Sequence, residues 1–394
     1  MERKCSKKWG LAVSTGREMQ AKEMAAKRRS RNPSLKAEVQ TAAMFEAVVS
    51  VLRHHDHLLP EKTLFDQEGS SIIMKTSMPM PNQTMPSLEI PTGRLKMNLL
   101  LPRRQKKDKV LIVIGPTGTG KSRLSIDLAT RFRAEIINSD KMQVYQGLDI
   151  VTNKITEEEK CGVPHHLLGI LNPNTDITAS NFRSLASCVI ESTRSRGRLP
   201  IIVGGSNSFV EALVDDEDFI FRSKYECCFL WVDVSMHVLH QFVSERVDRM
   251  VENGMVDEVR KFFHPNADYS KGIRKAIGVP EFDLYFRAEP FLDEASRAKL
   301  LREAIQEIKK NTCKLACRQL EKIHRLRNIK GWNIHRLDAT EVFLRRGKAA
   351  DEAWTKLVAG PSTALVTKFL IDFSMEPTPP VGAVRDHHTQ CLVA

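Results

Sequence analysis

The chain has 394 residues, of which 42% are hydrophobic and 27% are charged. This composition is typical of globular proteins and excludes disorder along the whole chain and a collagen-like fibre. The sequence contains no apolar run of about 18 residues, the length that a membrane-spanning helix needs. Its charged first 30 residues form no apolar signal core, so we expect neither membrane spanning nor secretion.

The net charge of +12 is unevenly distributed. Residues 1–36 contribute +8 and residues 101–109 contribute +4, which together account for the whole excess. The basic charge therefore belongs to a leader and a linker, and it does not indicate a folded body that binds nucleic acid. The eight cysteines show neither a disulfide framework nor a CxxC pair, which is typical of a reducing compartment and argues against structural zinc.

The chain begins with two segments that carry no recognisable chemistry. Residues 1–73 are predicted to be an N-terminal extension of unknown role, and their nine acidic residues are too many for a transit peptide. Residues 74–108 are rich in Pro, Met and Ser, and we predict a linker or targeting segment there. We interpret Met74 as an alternative start of translation.

Residues 109–234 carry the pattern of an α/β core. Apolar runs predict strands that are buried on both faces, at 110–114, 135–138, 200–203 and 228–232. Helical periodicity over 121–132 follows the first strand. Because strands alternate with helix-length segments, we predict a P-loop-type, doubly wound parallel sheet.

The pattern changes to helix upon helix after Asp233. Helices are predicted over 236–263 and 300–326, so residues 235–345 are expected to form a mainly helical, substrate-binding subdomain. Residues 346–394 contain Pro377, Pro379 and Pro380 and are predicted to be a flexible tail.

Residues 115–122 have the sequence GPTGTGKS and fit the phosphate-loop motif G-x-x-x-x-G-K-[ST]. The motif lies between a predicted strand and a predicted helix, which is the context that it requires. Backbone amides of such a loop surround a polyphosphate, Lys121 adds a positive charge, and the Ser122 hydroxyl is placed to bind Mg2+. The sequence therefore predicts a phosphate site.

Asp140 follows the next predicted strand. Strand ends in this fold face the crevice where ligands bind, so Asp140 is expected near the phosphate loop as a general base or metal ligand. The alternative is a helix-capping or turn aspartate with no chemical role.

Six motifs in order resemble the isopentenyltransferase family, which includes tRNA dimethylallyltransferases and plant adenylate dimethylallyltransferases. The resemblance covers residues 109–345, and three further stretches, at 150–154, 227–233 and 311–319, favour the plant adenylate branch that begins cytokinin synthesis. The six motifs are the phosphate loop, 138–145 (NSDKMQVY), 163–166 (VPHH), 200–205 (PIIVGG), 245–250 (ERVDRM) and 275–278 (KAIG).

The resemblance implies a reaction and a set of residues. The substrates would be dimethylallyl diphosphate and an adenine nucleotide (ATP, ADP or AMP), with Mg2+ held by Ser122. Asp140 matches the family's general base, Thr117 the threonine beside the breaking C–O bond, and Lys121 the phosphate-loop lysine. No stable nucleic-acid complex and no oligomer are expected. The diphosphate-binding residues would be Gly115, Pro116, Gly118, Thr119, Gly120 and Ser122, and further candidates for phosphate contacts are Arg246, Arg249 and Arg274.

Three alternatives remain at this point. A small-molecule kinase is favoured by Asp233, which ends an apolar run as a Walker-B aspartate does. A tRNA prenyltransferase is favoured by the basic helix 309–327, but the chain lacks the C-terminal Cys/His zinc-finger pattern of eukaryotic tRNA enzymes. A nucleotide-binding scaffold without turnover is the third.

Several His and Cys residues invite a metal interpretation that their spacing does not favour. His165 and His166 are adjacent on a predicted loop, and Cys313 and Cys317 are interpreted as core thiols one helical turn apart. Cys391 begins the C-terminal CLVA, a C-a-a-X box of the class that is farnesylated. We therefore expect a protein farnesyltransferase as a partner, and a location in plastid or in cytoplasm and nucleus that farnesylation switches.

Overall fold

The computed structural model describes residues 107–216 and 220–371, together with Glu46. The predicted extension 1–73, nearly all of the segment 74–108 and the C-a-a-X cysteine Cys391 lie outside the described residues. The strands are β1 (Asp108–Ile114), β2 (Ala134–Asn138), β3 (His165–His166), β4 (Leu199–Val203), β5 (Tyr225–Asp233) and β6 (Ile334–Asp338). The helices are α1 (Lys121–Phe132), α2 (Ala179–Ser195), α3 (Asn207–Val214), α4 (Ile220–Lys224), α5 (Met236–Glu252), α6 (Met255–Phe262), α7 (Asp283–Ala288), α8 (Glu294–Asn328), α9 (Thr340–Phe343), α10 (Gly347–Trp354) and α11 (Gly360–Ile371).

The described strands form one parallel sheet in the order β3-β2-β4-β1-β5-β6. Residues 110–114 of β1 are wholly buried because helices cover both faces of the sheet. This confirms the predicted doubly wound α/β fold. The chain passes from β1 to β2 across β4, so the loops after β1, β2 and β4 meet at the carboxyl edge of the sheet.

The helical part differs from its prediction in two places. The predicted helix 236–263 is interrupted: α5 ends at Glu252, Gly254 adopts a left-handed φ of +94°, and α6 starts at Met255. The helix predicted over 300–326 is longer, because the Asp293 side chain caps it by accepting a hydrogen bond from the Ser296 amide at 2.7 Å.

One expectation about the C-terminal half is wrong. Residues 235–345 are mainly helical, and they also contribute β6, which pairs with β5 and extends the sheet. Residues 347–371 are not a flexible tail, because α10 and α11 pack on the sheet through Trp354, Val358 and Val366, which are at most 3% exposed. A π-helical turn over Thr355–Ala359 joins these helices and breaks the 3.6-residue spacing, which conceals the helices from periodicity analysis.

Candidate active site

The phosphate loop joins β1 to the amino end of α1. The Thr119 hydroxyl donates to the Pro116 carbonyl at 2.9 Å, and the Lys121 ammonium donates to the same carbonyl oxygen at 2.7 Å. Burial lowers the pKa of Lys121 to about 8, against the smaller opposing effect of the nearby Asp140 carboxylate. Lys121 is therefore a poorly solvated cation.

Thr117 is held from two sides. Its amide donates to the side-chain oxygen of Gln319 at 2.7 Å, and its hydroxyl accepts a hydrogen bond from the Arg246 guanidinium at 3.0 Å. Burial, with Arg249 next in effect, lowers the pKa of Arg246 to about 10, so this arginine remains charged at neutral pH. Because Arg246 occupies a lone pair of the hydroxyl, the hydroxyl proton is free to point into the cavity.

Asp140 is fixed by the residues around β2 and β4. Its amide donates to the Asn138 side chain at 3.1 Å, and its Oδ1 accepts from the Met142 amide at 3.0 Å. Gly204 packs so closely that a Cβ there would lie 2.7 Å from the Asp140 nitrogen. One carboxylate oxygen thus makes the turn contact that the alternative interpretation predicted, while the side chain still lines the cavity.

Thr117, Lys121, Ser122, Asp140 and Arg246 line one cavity of about 640 Å3. The sequence-predicted general base and the sequence-predicted phosphate site are therefore brought together. Apolar side chains from the helical part complete the lining and provide surface for a hydrocarbon group. They are Phe242, Val247, Met250, Met255, Ile308 and Leu315.

Two lysines that the sequence analysis did not single out also line this cavity. Lys141 follows Asp140 directly, and its pKa is lowered by burial and by the neighbouring Lys275. The Lys275 ammonium pairs with Asp176 at 2.6 Å. Their positions inside the motifs 138–145 and 275–278 are the signal that could have identified them. Both lysines thus line the cavity that Asp140 also lines, and the Asp176 carboxylate offsets part of their positive charge.

The other predicted residues are divided between the cavity lining and its surroundings. Gly118 and Gly120 line the cavity, whereas Gly115, Pro116 and Thr119 form the body of the loop. Arg249 lies over the Phe242 ring, 5.3 Å from its centroid, and Arg274 donates to the Asn174 side chain. Neither of these two arginines is among the residues that line the cavity. Of the three arginine candidates, Arg246 alone is brought to the site.

The residues that suggested a kinase or a metal site contact other side chains of the fold. Asp233 pairs with Arg336 at 2.6 Å on the adjacent strand. The predicted loop that contains His165 and His166 is the short strand β3, where His166 contacts Glu135 at 2.8 Å. The half-buried Cys317 contacts His240 at 3.4 Å. Within residues 107–216 and 220–371, no cluster of three His, Cys, Asp or Glu side chains is arranged to bind a metal ion, and no helix is long and apolar enough to cross a membrane.

Similar proteins identify the family. An IPP transferase family model matches residues 143–220 and 215–325. Adenylate isopentenyltransferase 3, chloroplastic, of Arabidopsis thaliana is 59% identical over 82% of this chain and 100% of its own length. The chain belongs to the IPP transferase family, in the group of plant adenylate isopentenyltransferases. The predicted resemblance is confirmed.

Further relatives agree with this placement. Adenylate isopentenyltransferase 5, chloroplastic, of A. thaliana is 61% identical over 68% of this chain and 82% of its own length. Adenylate isopentenyltransferase 7, mitochondrial, of the same plant is 52% identical over 75% and 90%. A solved eukaryotic dimethylallyltransferase acting on tRNA superposes with a TM-score of 0.57 at 25% identity, covering 69% of this chain and 81% of that chain.

Proposed function

We propose that this protein transfers the dimethylallyl group of dimethylallyl diphosphate to the N6 amine of an adenine nucleotide, releases diphosphate, and so begins cytokinin synthesis. The observation that carries the proposal is the single cavity in which the phosphate loop, Asp140 and an apolar wall meet. Membership of a prenyltransferase family supports the same reaction as this combination of phosphate loop, carboxylate and apolar wall.

The reaction forms a bond between adenine N6 and C1 of the prenyl group and breaks the bond between C1 and the diphosphate oxygen. Asp140 accepts the proton that N6 loses, which is necessary because an exocyclic amine is otherwise a weak nucleophile. The loop amides and Lys121 neutralise the leaving diphosphate, and the Thr117 hydroxyl, polarised by Arg246, donates toward the leaving oxygen.

Mg2+ is proposed as the cofactor. The Ser122 side chain lines the cavity at the amino end of α1, next to Lys121. A lone hydroxyl suits an ion that keeps several waters and shares phosphate oxygens with its substrate. When bound, the ion would add positive charge to the diphosphate leaving group.

The two lysines favour a free nucleotide as the acceptor. Lys141 and Lys275 line the same cavity as Asp140, so a nucleotide whose adenine amine reaches Asp140 has positive charge within the cavity for its own phosphates. From the resemblance to the plant adenylate enzymes we infer that ATP and ADP are preferred over AMP.

The test combines the protein with dimethylallyl diphosphate, Mg2+ and each nucleotide in turn, alongside a tRNA anticodon stem-loop. We expect prenylated nucleotide and diphosphate. Prenylated RNA without prenylated nucleotide would assign the chain to the tRNA reaction, and a phosphorylated product would assign it to the kinases.

We also propose that the protein is imported into plastids and that farnesylation changes its location. Two of the relatives are named chloroplastic and a third mitochondrial, and the acid-poor segment 74–108 suits import into plastids. Cys391 at the opposite end is proposed as a farnesylation site. A single prenyl chain binds membranes only marginally, so the modification would redirect the protein between compartments more than anchor it.

A further inference from the structure

The segment 347–371 contacts the helix that follows the phosphate loop. The indole nitrogen of Trp354 donates to the Asp127 carboxylate at 2.7 Å, and the Arg123 guanidinium lies over the indole, 4.7 Å from its centroid. Arg123 also pairs with Asp351 at 2.8 Å. Arg123 and Asp127 belong to the first two turns of α1. Trp354 therefore packs against the part of this helix that directly follows the phosphate loop.

The indole also reaches the loop itself. A Cβ on Gly120 would lie 2.9 Å from both Cη2 and Cζ3 of Trp354, closer than side-chain carbons approach. Gly120 has a φ of +93° and directly precedes Lys121. The outer edge of the ring therefore occupies the space behind Gly120 and prevents this residue from moving away from the cavity.

The backbone that carries Trp354 is unusual. The π-helical turn Thr355–Ala359 begins at the next residue, and the Thr355 hydroxyl donates to the Asp351 carbonyl at 2.9 Å. Trp354, directly before the turn, and Val358, within it, both face the core. Such turns are rare and frequently occur at functional sites.

We propose that Trp354 is a positioning residue for the diphosphate of the prenyl donor. It fixes Gly120, and through Gly120 it fixes the loop amides and the Lys121 ammonium in the geometry that receives the anion. The identity of the donor rests on the proposed function, whereas the binding of diphosphate at the loop is tested separately below.

The chain contains a closely matched control. Trp332 is 4% exposed, its indole nitrogen donates to Asp215 at 3.2 Å, and the Arg222 guanidinium lies over its ring at 5.3 Å. Trp332 thus repeats the hydrogen bond and the cation–π contact of Trp354. It lies two residues before β6 and packs on Phe229 of β5, outside the cavity lining. Loss of either indole removes the same kinds of interaction.

The experiment compares Trp354→Phe with Trp332→Phe in the full chain. Phenylalanine keeps an aromatic ring but lacks the outer edge that touches Gly120. We expect similar losses of unfolding free energy in the two variants. Trp354→Phe alone should weaken binding of Mg2+–pyrophosphate in calorimetry roughly tenfold and raise the KM for dimethylallyl diphosphate, because small displacements of positioning groups are costly. The KM for ATP should not change.

Equal pyrophosphate affinities in the two variants would overturn the proposal. An equal rise in the KM values for donor and nucleotide in Trp354→Phe would overturn it as well, since that result indicates general loosening of the fold. If the wild-type protein binds pyrophosphate but prenylates no nucleotide, the proposed function is wrong, and the pyrophosphate comparison still decides the role of Trp354.

Discussion

The side-chain oxygen of Gln319, in the long helix α8, lies 2.7 Å from the backbone nitrogen of Thr117 in the phosphate loop. The same side chain donates to the Gly205 carbonyl at 2.9 Å, and Gly205 packs beside Asp140. One buried amide thus connects the donor side of the cavity with the base candidate. Gln319 itself lines the cavity, but its side-chain oxygen and its amino group are both engaged by the two loops that it joins.

Gln319→Leu should lower kcat roughly tenfold to a hundredfold, because it frees Thr117 and Asp140 to move relative to each other. Two buried backbone groups also lose their partner, at roughly 1–3 kcal/mol of unfolding free energy each. Steady-state kinetics and urea unfolding measure both effects. Gln306→Leu, at an exposed position of the same helix, is the control. A wild-type kcat in Gln319→Leu would contradict the positioning role.

The substitution Asp140→Asn distinguishes a role of Asp140 as general base from a role in the turn alone. Asparagine retains the oxygen that accepts from the Met142 amide, but it does not take up a proton. We expect turnover to fall roughly a hundredfold to ten-thousandfold, as in Asp140→Ala, while pyrophosphate binding persists. Near-normal turnover in Asp140→Asn, together with a loss in Asp140→Ala, would show that Asp140 is needed only for the turn.

Diphosphate affinity should decrease as pH rises through about 8, the pKa to which burial lowers Lys121. Below that pH the ammonium is charged and attracts the anion; above it, binding requires uptake of a proton, which weakens affinity by up to about tenfold per pH unit. Calorimetric titrations with Mg2+–pyrophosphate between pH 7 and 9.5 measure the change. Lys121→Arg is the control, because its guanidinium stays charged over this pH range while the ligand titrates as before. Identical pH profiles of affinity in the two proteins would show that Lys121 does not cause the change.

Acid should destabilise the protein through Glu135. Burial raises the pKa of this carboxyl, but hydrogen bonds from His166 and Arg196 outweigh it and hold the pKa at about 2, below the unfolded value of 4.5. The resulting stability is present above pH 4.5 and is lost as pH falls toward 2. Glu135→Gln should therefore cost roughly 3 kcal/mol or more of unfolding free energy at pH 7.

Denaturant unfolding at pH 3 and pH 7 tests this expectation, and the difference between Glu135→Gln and wild type should shrink at the lower pH. The surface pair of Glu157 and Lys160 provides the control, because exposed pairs contribute little, so Glu157→Gln should change stability by less than about 1 kcal/mol. An effect of Glu135→Gln that is independent of pH would contradict the account.

Farnesylation of Cys391 is tested by mass spectrometry of the C-terminal peptide from cells with active farnesyltransferase. We expect a thioether-linked farnesyl group in the wild type and none in Cys391→Ser, together with different locations of the two proteins. An unmodified cysteine, or the same location for both proteins, would refute the compartment switch.

The sequence by itself determined the fold class, the phosphate loop and the family. These features depend on local order: a buried strand appears as a continuous apolar run, and the loop requires its glycines, Lys121 and Ser122 at fixed spacings. The strands of residues 110–114 and 228–232 and the helix from Lys121 to Phe132 were predictable for this reason.

Tertiary structure alone decided which distant residues share the cavity. Gln319 and Arg246 reach Thr117 from helices that are more than 100 residues away along the chain, and Trp354 reaches Gly120 from the end of α10, directly before a π-helical turn. Arg249 and Arg274 looked equally suitable in sequence, but their guanidinium groups contact the Phe242 ring and the Asn174 amide, and neither arginine lines the cavity. Sequence spacing encodes the face of a helix, whereas the packing of one helix against another selects which of its side chains meets the ligand.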